Sequence, residues 1–147
     1  MPRGVRRVVF ERVPGTPNVP IPARATTGAA CFDLAAAEHV DLQRGEITRV
    51  RTGFKMRCPK GTFLEVRPRS GLASRGVLMV NAPGTIDADY SDEIRVPLTY
   101  LFEGSYPIAV GDRIAQVRLV EDLRAQFRPG RVRPVRSRRG GFGSTGR

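Results

Sequence analysis

Apolar and polar residues alternate most cleanly between Arg49 and Cys58, where Val50, Thr52, Phe54, Met56 and Cys58 take every second place and Arg49, Arg51, Gly53, Lys55 and Arg57 fall between them. A period of two puts the two sets on opposite faces of an extended chain, so this stretch predicts a strand with one dry face. Ile94, Val96, Leu98, Tyr100 and Phe102 repeat the pattern against Glu93, Arg95, Pro97 and Thr99. Pro97 has no N–H to give a ladder and argues for a sheet edge or a bulge there. Shorter apolar runs predict an edge strand at Val8-Val9-Phe10, a strand from Phe63 to Val66, a buried strand at Val77-Leu78-Met79-Val80 and a final core strand from Ile114 to Val120.

Between these runs lie turn signals at Gln43-Arg44-Gly45-Glu46, at Pro59-Lys60-Gly61 and from Tyr106 to Asp112, while Pro14, Pro17, Pro20 and Pro22 enforce an extended, non-helical passage. One helical turn is allowed near Leu72; elsewhere no window of a dozen residues carries a helical period. Many short strands predict an all-β chain, a sandwich or barrel whose edges need closure or oligomerisation. Pro83-Gly84 reads as the centre of a type II turn, with Gly84 at positive φ, closing a hairpin whose exit carries Asp87, Asp89 and Tyr90. Such a turn could hold a carboxylate and a ring beside exposed backbone donors and acceptors. A plain hairpin with a solvated Asp-Ala-Asp exit is the competing reading of this stretch alone.

The 147 residues suit one domain, able to bury about 70% of its unfolded surface. With no apolar run long enough for a bilayer and no apolar stretch after Met1-Pro2-Arg3-Gly4, the chain is expected to be soluble and cytoplasmic. Cys31, Cys58 and the lone His39 make neither a disulfide framework nor a metal site, so both thiols are expected reduced and buried. The net charge of +11 rests on 23 Arg against Lys55 and Lys60, spread over nearly every segment and densest after Gln126. That attracts polyanions, nucleic acid among them, but a nucleoside triphosphate is a polyanion too.

From Arg128 the core pattern stops, dividing the chain into a domain of residues 1–127 and an arm of residues 128–147 that is expected to be mobile. The arm's end, Gly140-Gly141-Phe142-Gly143-Ser144-Thr145-Gly146-Arg147, combines glycine backbone, two hydroxyls, arginine and one ring. Those groups suit phosphate and a stacked base.

Five segments taken in order, Ala30-Cys31-Phe32-Asp33-Leu34, Pro68-Arg69-Ser70-Gly71-Leu72-Ala73, Gly84-Thr85-Ile86-Asp87-Ala88-Asp89-Tyr90, Gly111-Asp112-Arg113-Ile114-Ala115-Gln116 and Gly140 to Gly146, resemble the five motifs of the trimeric dUTPases, which split dUTP into dUMP and pyrophosphate. The resemblance implies a β jelly roll, a homotrimer whose sites draw on three subunits, and magnesium carried mainly on the substrate's phosphates. It implies Asp87 as the base that activates water, Tyr90 as the ring beneath the deoxyribose, and Asn81 with the backbone around Gly84 as the uracil reader. Arg69, Ser70, Gly71 and Gln116 would meet the phosphates, Asp33 and Asp112 would orient arginine or metal-bound water, and Arg138, Phe142, Gly143, Ser144 and Thr145 would close over the nucleotide as a lid. The chain departs from the motifs at Ser137, where the family usually has Arg, at Asp92 and at Cys31, where it commonly has Gly. A dCTP deaminase-like relative on the same fold, or a catalytically impaired binding protein using its basic surface, stands as the alternative.

Overall fold

The alternating stretch around Val50 is dry along one face as its pattern predicts, with Val50, Thr52, Phe54, Met56 and Cys58 all buried, yet it is not one strand. In the computed structural model, which describes residues 4–133, Gly53 takes a φ of 75° and divides it into β4 (Thr48–Arg51) and β5 (Phe54–Arg57). Left-handed backbone suits a residue without Cβ. A Cβ here would also stand 3.1 Å from Thr16 Oγ1 and 3.2 Å from the Ala37 Cβ.

The other strands are β1 (Val9–Arg12), β2 (Phe32–Ala35), β3 (Val40–Gln43), β6 (Thr62–Arg67), β7 (Val77–Met79), β8 (Gly84–Ile86), β9 (Arg95–Tyr100), β10 (Ser105–Ile108) and β11 (Arg113–Glu121), with one helical turn, α1 (Ser70–Ala73). They pair antiparallel in four sheets, ordered β2-β11-β6-β8, β4-β9-β7, β3-β10 and β1-β5. The all-β architecture expected from the short apolar runs is the one observed. Phe54, Leu34, Leu42, Ile94, Leu98 and Ile114 are sealed from solvent, and each such side chain contributes about 1.5–3 kcal/mol by leaving water. A register shift between Arg113 and Ala115 lets Ile114 and Ala115 both turn inward where strict alternation would expose one of them.

Five further expectations are corrected. β7 pairs with β9 and β8 pairs with β6, so the chain between them crosses from one sheet to another and closes no hairpin. The Ala82–Pro83 bond is cis and Gly84 lies outside the positive-φ region, so the turn is not type II. Pro97 sits on the central strand of its sheet rather than an edge. It is tolerated because its polar side faces β7 where that ladder ends at Met79 opposite Leu98, and the Val80 N–H then donates to the Pro97 carbonyl at 3.1 Å. Tyr106 to Ile108 belongs to β10 rather than to a turn, leaving Ala109 to Asp112, with Gly111 at φ 90°, to reverse the chain into β11. Cys58 is buried as expected, whereas Cys31 is only partly so; both are free thiols.

Candidate active site

Three of the sequence segments meet at one end of the β2-β11-β6 sheet. The register sets Gln116 of β11 beside Asp33 of β2 on one flank and Arg67 of β6 on the other. From there the Gln116 amide donates to the Pro68 carbonyl at 2.9 Å, holding the exit of β6 against β11. Arg69 follows in extended backbone and caps the short turn α1, its carbonyl accepting from the Ala73 N–H at 3.0 Å.

Asp33 binds this corner together. Its Oδ1 accepts from Arg69 Nε at 3.0 Å and its Oδ2 from Arg113 Nη1 at 3.4 Å, while Arg69 Nη1 donates to the Arg113 carbonyl at 3.1 Å. The carboxylate thus places two guanidinium groups side by side, an arrangement that suits phosphate oxygens. Asp112 works on the turn that delivers Arg113. Its Oδ2 accepts from the Ala109 N–H at 2.8 Å, and its carbonyl takes the Ala36 N–H at 2.8 Å. Ser70 and Gly71 stand exposed at the start of α1.

The crossing between β7 and β8 is shaped by contact rather than by a special dihedral. A Cβ on Gly84 would lie 3.1 Å from Asn81 Nδ2 and 3.1 Å from Met79 Cε, so the Asn81 side chain folds over a residue with no side chain of its own. Past β8 the residues from Asp87 to Asp92 are all exposed. The Tyr90 N–H donates to the Asp87 carbonyl at 3.1 Å, and its hydroxyl donates to the Glu93 carbonyl at 3.0 Å, while the residue stays 40% exposed.

Asp87 does not join the arginine corner within one chain. The β6–β8 register pairs Leu64 with Ile86 and Val66 with Gly84, which sets Asp87 level with Phe63, at the opposite end of the ladder from Ser70. From Phe63 to Arg67, the end of β6, the chain advances about 13 Å before it turns toward Ser70. A cavity of about 680 Å³ lined by Phe10, Phe32, Met56, Leu64 and Leu119 contains none of the candidate site residues and does not mark the chemistry. Arg138, Phe142, Gly143, Ser144 and Thr145 lie outside the described residues. Two participants escaped the sequence reading. Arg113 sits inside a recognised segment without an assigned task, and Glu93 falls on the polar side of an alternating strand, where nothing local signals burial.

An all-β chain that sets paired arginines on an aspartate and a second carboxylate beyond the neighbouring strand has the makings of a phosphoanhydride hydrolase. Residues 17–146 match the dUTPase family model. The deoxyuridine 5'-triphosphate nucleotidohydrolase of Anaeromyxobacter sp. (strain Fw109-5) is 46% identical over 142 residues, covering 89% of this chain and 90% of the relative. Among solved structures, the dUTPase of Staphylococcus bacteriophage 80alpha with dUPNHPP superposes with a TM-score of 0.79 at 25% identity, over 95% of this chain and 98% of that one. A mutant dUTPase from phage phi11 of S. aureus, solved for the coordination of a structural Mg(II) ion, gives a TM-score of 0.73 at 20% identity over 84% of this chain and 96% of that one. The chain belongs to the dUTPase family, with its jelly-roll-like β fold and its hydrolysis of dUTP. The deaminase-like alternative gives way to that membership.

Proposed function

We propose that dUTP is split to dUMP and pyrophosphate at sites formed between copies of this chain in a homotrimer, the arginine corner of one copy facing the Asp87 loop of another. The β6–β8 register carries this reading, because a catalytic carboxylate at the far end of the ladder from Ser70 can approach that serine only from a second copy.

Asp87 takes a proton from water as the water oxygen bonds to the α-phosphorus, and the bond from that phosphorus to the α,β-bridging oxygen breaks to release pyrophosphate. Ser70 donates to the bridging region where charge develops, while Arg69 and Gln116, with the Gly71 backbone, hold the phosphates. Asp33 and Asp112 keep Arg69 and Arg113 aimed. Asn81 and the backbone at Gly84 pair with uracil, and the Tyr90 ring fills the space a 2′-hydroxyl would need. The arm from residue 128, through Arg138, Phe142, Gly143, Ser144 and Thr145, closes over the nucleotide and excludes water.

Magnesium fits as a passenger of the triphosphate. Among the described residues no three His, Cys, Asp or Glu side chains form a metal cluster, Asp33 is taken up by two arginines and Asp112 by a backbone amide. A hydrated ion on phosphate oxygens needs no protein cage and would neutralise charge on the departing pyrophosphate. No helix among the described residues is long and apolar enough to cross a membrane.

The test is complementation between two inactive variants. Asp87→Asn should bind dUTP and release almost no pyrophosphate, and Ser70→Ala should be strongly impaired. Co-refolded in equal amounts, the two should recover about one quarter of wild-type activity, since each site then needs its carboxylate from one variant and its serine from the other. A mixture no more active than its components refutes the shared site.

A further inference from the structure

Glu93 stands immediately before Ile94, on the polar side of the alternation, yet only 8% of it is exposed. The cause lies at the break between β4 and β5. The Gly53 N–H, turned out of the strand pairing by its positive φ, donates to Glu93 Oε1 at 2.9 Å. Arg51 Nε reaches both carboxylate oxygens, at 3.2 and 3.0 Å, and Arg95 Nη2 stands 3.5 Å from Oε2. Both oxygens of a buried charge are therefore satisfied.

The following residue is clamped at the same place. The Ile94 N–H donates to the Phe54 carbonyl at 2.9 Å, and the Thr52 hydroxyl donates to the Ile94 carbonyl at 2.7 Å. On the other side, everything from Asp87 to Asp92 is exposed and belongs to no strand. What ties that loop down is the Tyr90 hydroxyl on the carbonyl of Glu93. Glu93 is thus the fixed point from which the loop departs.

We propose that Glu93 is a positioning residue. Anchored through Gly53 and Arg51, it fixes the carbonyl that holds the Tyr90 hydroxyl, and so sets both the ring that rejects ribonucleotides and the loop that carries Asp87. This inference rests on the function proposed above. Its distinguishing consequence is a change in sugar selectivity, which a loss of stability alone would not produce.

The measurement is the ratio of kcat/KM for dUTP to that for UTP, taken alongside Tm. Glu93→Ala should lower the ratio about tenfold, because a ring that can shift no longer crowds a 2′-hydroxyl. Glu93→Gln keeps an acceptor for the Gly53 N–H and should stay within about threefold of wild type. Met56→Ala, a core truncation on β5, should lower Tm and leave the ratio alone. Should Glu93→Ala fail to fold, Arg51→Ala removes the other anchor and should lower the ratio in its place. A ratio unchanged in Glu93→Ala, or in Arg51→Ala where Glu93→Ala does not fold, overturns the inference, as does a loss of kcat/KM for both nucleotides in equal proportion. Absence of dUTP turnover in the wild type would sink the proposed function and this inference with it, whereas an unchanged ratio beside normal turnover sinks this one alone.

Discussion

Removing the Asp33 carboxylate should uncouple the arginine corner, and the structure sets the size of the effect. The Asp33 side chain is 18% exposed and that of Arg69, at 3.0 Å, 26%; the Arg113 partner, at 3.4 Å, is 56% exposed. A hydrogen bond to a charged group contributes about 1.5–3 kcal/mol when well shielded. Solvent screening reduces the Arg69 contact to about 1–2 kcal/mol and the Arg113 contact to about 0.5 kcal/mol or less. Asp33→Ala should then cost about 1–2.5 kcal/mol, a fall in Tm of about 2–10 °C for a chain of this size. The decisive assay is a double-mutant cycle of Asp33→Ala and Arg69→Ala, read by thermal unfolding at one fixed protein concentration because the proposed subunit association would make Tm concentration-dependent. Coupling of about 1 kcal/mol is expected, together with a KM for dUTP raised about tenfold in either single variant and little further in the pair. Additive stability losses with an unaltered KM in Asp33→Ala would show that the carboxylate does not hold Arg69 for the substrate.

Gly53→Ala should lose about 1–2 kcal/mol to left-handed backbone and about 1–3 kcal/mol more to crowding against Thr16 and Ala37. Gly61→Ala, at φ 77° with nothing within 4 Å, should lose the backbone part alone, and equal Tm shifts for the two would refute the crowding. Deleting Gly140 to Arg147 should leave Tm nearly unchanged while turnover collapses, since the arm is argued to be a lid; a large drop in Tm would make it part of the folded body.

Periodicity made the strands legible, because every second residue facing the core is a property that short windows carry. It reports which face is dry and is silent about where a strand stops. Val50 to Cys58 keep one buried face across a break at Gly53, since both strands on either side of it pack on the same core. The same silence turned β7 and β8 into a hairpin on paper, although each pairs with a distant strand. The turn signal at Gly84 misplaces the reason for a glycine there, which is the Asn81 and Met79 side chains above it and not a positive φ.

The residues proposed for the site fall in five short segments of the sequence, but the grouping of those the structure describes could not be read there, because grouping is a matter of register. Asp33, Arg69, Arg113 and Gln116 come together through the ladders of β11 with β2 and β6. Asp87 is held apart by the ladder of β6 with β8. A chain that assembled its own site would need Asp87 and Ser70 on one end of that ladder, and shifting β8 by several residues to bring them there would strip Ile86 from its place against the core and move Gly84 from beneath Asn81. A slip by an odd number would also reverse every side chain of the strand. The core therefore fixes a separation between Asp87 and Ser70 within one copy, and on the proposed function the burial that makes the chain fold is the same constraint that would make its activity depend on a neighbour.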